Sequence, residues 1–320
     1  MNANVNQAIA LSIVTPTRGN FSEYWLEQLL KIQGDVEFIL VYHPHTPIRI
    51  VDDSRVKAIA SPYKGEMMQR FVGLLNASGD YVLALDDDDF VHPDIVQLTC
   101  EYFQRFPQSW VLRLYMEKID RLNEERIKQE WSELPQIEQL SVCQNRRDGQ
   151  ERYTALLEIP IAPLDKRFDI RHAIFPFQQR TDDRGIHFEN FNNRVWKNEL
   201  VKQALPDLSD ATKVLGAVTW IPSSGFDRLL GLFVQAKFYK KGAIIGHWMT
   251  EPEQIRFIDK PPVLKPPRFH VISDVLLVRC FPQYGYLWNL FFSKLYGVPR
   301  TVGKAIKMKL LKKVSAKSNI

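Results

Sequence analysis

Apolar and polar residues alternate with two different periods over roughly the first hundred residues of the chain. The runs ALSIVTPT from Ala10 and VEFILVYH from Val36 are short, apolar and rich in β-branched residues, which predicts buried strands. Between them, SEYWLEQLLKI from Ser22 places apolar residues at helical spacing behind a capping serine. Strands and helices that alternate in this way predict βαβ units and a mainly parallel sheet.

The same alternation leads to an unusual acidic segment. RVKAIAS predicts a strand, GEMMQRFVGLLNAS a helix, DYVLAL another strand, and a further helix is expected to begin near Pro93. Four consecutive aspartates, residues 86–89, follow directly on the strand DYVLAL. Ligands of parallel α/β sheets bind at the carboxyl ends of the strands. The aspartates therefore occupy the position of a binding site.

Three interpretations of the aspartates can be compared on chemistry. A solvated acidic turn needs only one or two of them, and four like charges at a strand end repel one another. A calcium loop of the EF-hand type would need alternating ligands, a glycine and a distal glutamate, which this segment lacks. A hard divalent cation held by one or two carboxylates and a bound diphosphate suits the segment best.

Charge and composition change the interpretation of the carboxyl-terminal part. The chain has 320 residues and a net charge of +5, but no acidic residue follows Asp274, where nine basic residues occur. The earlier part is slightly acidic, with 33 basic against 37 acidic residues. The three cysteines are widely separated, which argues against a disulfide framework and a thiolate zinc site. No leader peptide or membrane span is expected from the apolar runs.

An aromatic stripe precedes the basic tail. Trp288, Phe291, Phe292 and Leu295 recur at helical spacing after the proline-rich segment DKPPVLKPPRF. Aromatic rings beside lysines suit an anionic membrane surface, and a terminal helix that packs its stripe on the domain is the alternative. Nucleic-acid binding is not expected, because no nucleic-acid-binding motif accompanies the basic residues.

The central segment resembles a known family. GLLNASGDYVLALDDDDFVHPDIV is similar to the signature of family 2 glycosyltransferases with the GT-A fold, including its Leu-Asp-x-Asp-Asp motif. The positions in register are Arg70, Gly73, Leu74, Ala77, Gly79, Asp80, Tyr81, Leu85, Asp86, Asp88, Asp89 and Pro93. The opening SIVTPTRGN resembles the first strand and the nucleotide-contacting loop of the family, at Thr15, Pro16, Thr17 and Arg18.

The resemblance implies a nucleotide-sugar donor, with Mn²⁺ or Mg²⁺ bridging the aspartates and the diphosphate, and inversion at the anomeric carbon. Asp88 is the expected metal contact, supported by Asp89 and by His247, which follows the strand-like AIIG. The resemblance also implies that the nucleotide-sugar donor is bound by Arg70, Asp86 and Asp87. The segment GFDRLLGLFVQAKFYKKGAII matches the family helix whose first turn carries the general base, here Asp227. An aspartate that caps this helix is the structural alternative.

Three positions depart from the family pattern. LVYHPHTP follows the second strand where the family has a pair of aspartates, so Tyr42, His43 and Asp52 are candidates to replace that contact, and uridine is only the default base. We interpret VDDS, from Val51, as the ordinary lead into the third strand. Phe71 stands where the family has asparagine, and Phe226 where it has glutamate.

The middle of the chain is less regular. SWVLRLYMEKI predicts a strand, LNEERIKQEWSEL a polar helix, and the segment up to about Arg194 a variable insertion that builds the acceptor site. The acids Asp182, Asp183 and Glu189 lie in it and are more typical of surface charges than of catalysts.

The sequence thus predicts an α/β GT-A fold with a mainly parallel central sheet flanked by helices and a carboxyl-terminal helical extension. Residues 1–110 would bind the nucleotide sugar, residues 111–257 the acceptor, and residues 258–320 would form the connector and the extension. The predicted activity is sugar transfer to a glycan or lipid-linked acceptor in surface polysaccharide or glycan synthesis. The predicted location is cytoplasmic, with peripheral association with the inner face of the cell membrane left open. A sugar-nucleotide nucleotidyltransferase and an inactive binding module are the alternatives.

Overall fold

The architecture comes from a computed structural model that describes residues 8–144, 155–175, 178–214, 216, 225–259, 271–304 and 306–307. The strands are β1 (Leu11–Thr17), β2 (Val36–Tyr42), β3 (Val56–Ala60), β4 (Tyr81–Ala84), β5 (Phe90–Val91), β6 (Val111–Arg113), β7 (Met116–Asp120), β8 (Ser141–Cys143), β9 (Ala155–Pro160), β10 (Arg194–Lys197), β11 (Ile244–Trp248) and β12 (Ile255–Asp259). The helices are α1 (Glu23–Leu30), α2 (Glu66–Asn76), α3 (Ile95–Arg105), α4 (Glu124–Lys128), α5 (Arg171–Ile174), α6 (Asn198–Thr212), α7 (Phe226–Lys237), α8 (Val271–Cys280) and α9 (Gly285–Leu295).

Within the described residues, nine strands form one sheet in the order β3-β2-β1-β4-β10-β6-β11-β9-β8, and β5, β12 and β7 form a second. In the large sheet β10 is antiparallel to both of its neighbours, whereas β3, β2, β1 and β4 are mutually parallel. The predicted α/β class with a mainly parallel central sheet is confirmed.

The central strands are apolar because helices or loops cover both faces of the sheet. All seven residues of β1 and of β2 are buried. One core cluster lies between the sheet and helices α2, α6, α7, α8 and α9, and a second lies on the face that carries α1 and α3. At Gly73 a Cβ atom would lie only 2.3 Å from Val14 Cγ1. This glycine therefore lets α2 approach β1 closely enough to bring Arg70 to the sheet edge.

Some predicted elements differ in detail. SWVLRLYMEKI forms two strands, β6 and β7, which belong to different sheets. The predicted polar helix is reduced to the five residues of α4. The domain boundary predicted at residue 257 falls inside β12, and the large sheet combines strands from both predicted halves. The proline-rich connector after Asp259 and the tail after residue 307 lie outside the described residues.

The carboxyl-terminal helices pack on the domain. Helix α9 buries Tyr286, Leu287, Asn289 and Leu290. The predicted stripe is therefore not the main packing face, although Trp288 and Phe291 are half-buried against the core. Asp274 of α8 is fully buried and forms an ion pair with Arg228 of α7 at 2.6 Å. Among the described residues, the helices are too short or too polar to span a bilayer.

Candidate active site

Six strands of the large sheet end at one edge. Since β10 runs antiparallel to both β4 and β6, while β11 is parallel to β6, the carboxyl ends of β6 and β11 lie on the same side as those of the mutually parallel strands β1, β2, β3 and β4. The loop after β1 and the aspartate loop after β4 share this edge. The sequence placed the predicted site there, and the topology agrees.

The aspartate loop is tied to the loop after β1. The hydroxyl of Thr17 donates a hydrogen bond of 2.7 Å to Asp87 Oδ2, and its oxygen accepts one of 2.9 Å from Gly19 N. Asp86 forms an ion pair with Arg70. Asp86, Asp87 and Asp88 are all partly exposed at the edge. The structure therefore brings two predicted donor-contacting segments together.

Asp89 differs from its three neighbours. Its side chain is buried, and Oδ1 accepts a hydrogen bond of 3.1 Å from Ile258 N on β12. The indole of Trp25 donates one of 2.8 Å to its carbonyl oxygen. These contacts anchor the aspartate loop to α1 and the second sheet. Asp89 thus has a structural role, and its predicted support of a metal contact stays a prediction.

Arg70 connects the two halves of the site. Its guanidinium is buried, pairs with Glu66 at 3.2 Å and with Asp86, and lies within electrostatic range of Asp227. Burial alone would lower the pKa of Arg70, but these three carboxylates raise it above its usual value. With the Asn192 amide oriented for best hydrogen bonding, its oxygen accepts from Arg70 Nη1 at 3.3 Å and from Nη2 at 3.1 Å. Arg70 is therefore a fixed positive charge between the aspartate loop and the Asp227 region.

Asp227 lies in the first turn of α7, as predicted, but it does not cap that helix. Gly225 is the N-cap residue and makes no side-chain capping bond. Asp227 Oδ1 instead accepts hydrogen bonds from Phe191 N at 2.6 Å and Asn192 N at 2.5 Å. The capping alternative is wrong because the acceptor oxygen faces another segment. Asp227 fixes the loop that carries Asn192.

A glycine allows this contact. At Gly231 of α7, a Cβ atom would lie 2.4 Å from the carbonyl oxygen of Glu189. Only a residue without a side chain lets the helix backbone lie so close to the 189–193 loop. This close packing places the amino-terminal turn of α7 beside the sheet edge.

His247 lies away from the aspartates. It is buried under α3, with Nδ1 at 2.8 Å from the Tyr102 hydroxyl and its ring 4.3 Å from that of Phe106. Burial, together with the positive charge of Arg105, lowers the pKa of His247 to about 4. The predicted metal contact at His247 is not supported, because the imidazole belongs to the core on the α3 face.

The other residues that were predicted to contact the donor have distinct environments. Thr15 and Pro16 are buried within β1, whereas Arg18 is exposed beyond its end. Gln69 Nε2 donates to Thr17 O at 2.8 Å and to Val41 O at 2.6 Å, which fixes the ends of β1 and β2. Gln69 therefore braces the loop that carries Thr17 and Arg18.

Of the candidates for the missing aspartate pair, Tyr42 and His43 lie at the carboxyl end of β2 beside Thr17, whose carbonyl accepts a hydrogen bond of 3.0 Å from His43 N. Tyr42 is buried, its hydroxyl lies 3.5 Å from Arg49 O, and Asp52 is exposed. His43 Nδ1 lies 2.9 Å from Pro44 O. Asp53 pairs with Arg55 at 2.8 Å at the start of β3, which agrees with the interpretation of VDDS as the lead into that strand.

The three acidic residues of the insertion, Asp182, Asp183 and Glu189, have different environments. Asp182 is buried between Arg180 and Asn289, at 2.8 Å and 3.0 Å, and Asp183 is exposed. Glu189 accepts from Arg180 at 3.0 Å and from the Tyr286 hydroxyl at 2.5 Å. Asp182 and Glu189 thus join the insertion to α9, and this packing role differs from the surface role predicted for them.

Sequence reasoning missed Asn192, Arg113 and Arg194. Arg194 begins β10 and is the register partner of Arg113 at the end of β6. The signal that could have found them is a charged residue next to a buried strand residue in both WVLRL and NRVW.

A cavity of about 650 Å³, lined by Tyr115, Glu117, Arg126 and Glu251 among others, lies beside the second sheet, and none of the predicted site residues lines it.

Comparisons with known structures give weak similarity. The crystal structure of S. aureus TarS 1-349 is 15% identical, with a TM-score of 0.47, and the match covers 84% of this chain and 65% of that one. The structure of TarS 1-349 in complex with UDP is 15% identical, with a TM-score of 0.46 and the same coverage. The complex with UDP-GlcNAc is 12% identical, with a TM-score of 0.48 and coverage of 84% and 66%. The chain thus spans about two thirds of the length of these structures, and TM-scores below 0.5 carry no conclusion about its activity.

The sequence comparisons are more specific. A comparison with curated proteins gives no significant match. Residues 34–159 match the family model described as Glycosyl transferase family 2. The matched range contains Arg70, the aspartate loop and β6, and it ends before Asp227. Residues 34–159 are therefore similar to glycosyl transferase family 2, and the family resemblance predicted from the sequence is confirmed over that range.

Proposed function

We propose that the protein transfers a sugar from a nucleotide-sugar donor to an acceptor hydroxyl at the sheet edge. The observation that carries this proposal is the position of Arg70, which pairs with Asp86 and lies near Asp227. Arg70 thus lies between Asp86, on the proposed donor side, and Asp227, which belongs to a different element. Sugar transfer needs both kinds of group beside one reaction centre.

The donor would lie across the ends of β1 and β4. Thr17 and Asp87 are hydrogen-bonded there, and the exposed Arg18 follows directly. A flexible cation such as Arg18 can contact a diphosphate. Uridine is the default base, since the contacts that would select a base are not distinctive in this chain. The default donor is thus a UDP-sugar.

The aspartate loop has the ligand chemistry for Mn²⁺ or Mg²⁺. Asp86, Asp87 and Asp88 supply partly exposed carboxylate oxygens, which hard divalent cations prefer. No group of three His, Cys, Asp or Glu side chains within the described segments could hold a metal alone. The cation would therefore need oxygen ligands from the donor, with Asp88 as its principal protein ligand. When bound, it would supply positive charge against the diphosphate.

Asp227 is the proposed general base. During transfer, the acceptor oxygen forms a bond to the anomeric carbon, the bond to the diphosphate oxygen breaks, and the acceptor proton passes to Asp227. Attack from the side opposite the diphosphate inverts the anomeric configuration. Since Oδ1 of Asp227 is held by two backbone N–H groups, the carboxylate has a fixed orientation, which favours this role.

Two observations support association with an anionic membrane surface. Phe168, Ile170 and Phe175 are 38%, 61% and 57% exposed, and the Phe168 ring lies 5.4 Å from that of Phe292 on α9. Exposed basic side chains lie in the same segment, in α9 and in the residues after α9, namely Lys166, Arg167, Lys294, Arg300 and Lys304. Exposed rings with lysine and arginine neighbours suit the headgroup region of an anionic bilayer. A lipid-linked or surface glycan would then be the natural acceptor class.

A thermal-shift screen tests the activity proposal. UDP-, GDP-, CMP- and dTDP-sugars are each added to the full chain with and without Mn²⁺, because a ligand that binds only the folded state raises the melting temperature. We expect stabilisation by one nucleotide class that requires Mn²⁺. Stabilisation by nucleoside triphosphates with sugar phosphates would instead favour the nucleotidyltransferase alternative. Binding without any transfer or hydrolysis would favour an inactive module.

A further inference from the structure

Three consecutive residues hold the first turn of α7 from three directions. Phe226 packs its ring against that of Phe71 on α2, with 6.4 Å between the ring centroids. Asp227 accepts hydrogen bonds from two backbone N–H groups of the 189–193 loop. Arg228 forms an ion pair of 2.6 Å with Asp274 on α8. Successive residues of an α-helix point about 100° apart, so these contacts lie on three sides of one turn.

The N-cap residue of this turn provides no side chain. Gly225 has a φ of 150° and makes no side-chain capping bond. The first N–H groups of an α-helix have no acceptor within the helix, and a helix whose N-cap gives no side-chain oxygen is less well held at that end. The orientation of the turn therefore depends on its side-chain contacts with other elements.

The side of α7 that carries Asp227 tolerates little displacement. One turn beyond Asp227, Gly231 lies so close to the 189–193 loop that a Cβ atom would be 2.4 Å from the carbonyl oxygen of Glu189. One turn beyond Arg228, Leu232 is fully buried in the core cluster that also contains residues of α8. The contact of Arg228 with α8 thus decides how the Asp227 side of the first turn faces the loop.

The ion pair is costly to bury. The side chain of Asp274 is fully buried, and that of Arg228 is 13% exposed. Burial raises the pKa of Asp274 to about 6; the charge of Arg228 opposes this shift only in part, Glu189 adds to it and Lys294 opposes it. The surroundings of Asp274 therefore disfavour its carboxylate form even beside an arginine.

Stability alone does not explain such a pair. Replacing a buried ion pair by apolar side chains of similar volume is often neutral or stabilising, because the charges lose more hydration than they regain from each other. What the pair provides is a directed contact between α8 and the residue next to Asp227. A role in positioning follows from that direction.

We infer that Asp274 is a positioning residue, which acts through Arg228 to fix the first turn of α7 and with it the orientation of the Asp227 carboxylate. The catalytic value of this orientation rests on the proposed function, in which Asp227 is the general base. A catalytic group displaced by about 1 Å can lose much of its effect. Asp274 itself does not touch the substrate in this assignment.

Amide hydrogen exchange of Phe191 and Asn192, measured by NMR on the full chain, tests the positioning without a substrate. The double variant Arg228→Met with Asp274→Leu removes both charges, so that neither is left buried without its partner. We expect its urea unfolding midpoint to equal or exceed that of wild type. Exchange at the two amides should become at least about tenfold faster, because their acceptor Asp227 is less firmly held.

A matched control uses the exposed ion pair of α6. Lys213 and Asp210 lie 2.6 Å apart, and their side chains are 75% and 72% exposed. Lys213→Met with Asp210→Leu should leave exchange at Phe191 and Asn192 as in wild type. Should the buried double variant not fold, Asp274→Asn decides, since it keeps the shape of the side chain and should still speed exchange by at least about threefold.

A kinetic measurement separates positioning from general support of the fold. With the nucleotide sugar selected by the thermal-shift screen, kcat of the double variant should fall at least about tenfold while KM for the donor stays within about twofold. Unchanged exchange at the two amides, or an equal rise at the amides of β1, would overturn the inference, as would a kcat equal to that of wild type. Faster exchange at Phe191 and Asn192 alone, with no transfer by wild type, would count against the proposed function only.

Discussion

The buried guanidinium of Arg70 forms an ion pair with Asp86, although the two residues are 16 positions apart and belong to different elements. Helix α2 approaches β1 closely at Gly73, so one side chain of the helix reaches the end of β4. The same guanidinium lies in the field of Asp227. One positive charge therefore lies between the aspartate loop and Asp227.

Arg70→Gln should weaken the fold and the donor site together. The substitution leaves the carboxylates of Glu66, Asp86 and Asp227 without their common cation, so we expect the free energy of unfolding to fall by about 1–3 kcal/mol. Urea denaturation at pH 7 measures this loss, and Arg121→Gln is the exposed control. An unchanged unfolding midpoint would show that Arg70 does not hold these elements together.

Asp227→Asn should abolish turnover with little effect on structure. Asparagine keeps an oxygen that can accept from Phe191 N and Asn192 N, so the loop stays in place, but it cannot take a proton from the acceptor. We expect kcat to fall by roughly 10²-fold or more, with donor affinity almost unchanged. Asp183→Asn, an exposed acid of the same region, should have no effect. Near-normal turnover by Asp227→Asn would show that Asp227 only positions the loop and is not the general base.

His247→Gln should change the pH dependence of stability and leave any metal dependence intact. The pKa of His247 is lowered to about 4 in the folded state, while an unfolded histidine titrates near pH 6.5. The unfolded state thus binds more protons between these values, so stability is lost as the pH falls from about 6.5 to 4, by up to about 3 kcal/mol.

Urea denaturation at pH 7 and at pH 4.5 measures this loss. The loss should be smaller in His247→Gln than in wild type. His45→Asn is the matched control, because His45 is exposed and has a φ of 64° that asparagine tolerates. An identical loss in wild type and His247→Gln would show that this histidine does not titrate with folding.

Membrane association should depend on the apolar surface around α5 and α9. We expect Ile170→Asp and Phe175→Asp to reduce flotation of the full chain with anionic liposomes, since each puts a charge into an interface that favours rings and cations. Ile50, which is 93% exposed on another part of the fold, supplies the control Ile50→Asp. Binding of wild type should weaken as salt is raised. Equal flotation of wild type and all variants would show that this surface does not contribute to membrane binding.

The sequence was sufficient to predict most elements of about the first 110 residues. Runs such as VEFILVYH are apolar on both faces, and α2 has a strong helical period, so local pattern alone specifies them. The same periodicity correctly predicted that the four aspartates follow the end of a strand. Where local pattern and burial agree, the position of a loop such as the aspartate loop at a strand end can be deduced from the sequence.

Tertiary contacts decided the rest. Asp89 and Asp88 are adjacent in sequence, but only the pairing of β5 with β12 turns Asp89 towards Ile258. His247 was predicted to follow a strand, but it lies inside β11, and the order of strands in the sheet places it under α3. The pairing of Arg113 with Arg194 joins strands that are about eighty residues apart, which no local pattern reveals.

The most direct test of the account is the binding of UDP to wild type and to Asp88→Asn, measured by titration calorimetry with and without Mn²⁺. Asp88→Asn removes a carboxylate charge with little change in shape, while Asp94→Asn, on an exposed acid of the same segment, is the control. We expect wild type and Asp94→Asn to bind UDP tightly only with Mn²⁺, and Asp88→Asn to lose at least about tenfold in affinity with its fold intact. Equal Mn²⁺-dependent binding by Asp88→Asn and wild type would contradict the assignment of the nucleotide-sugar site to the aspartate loop.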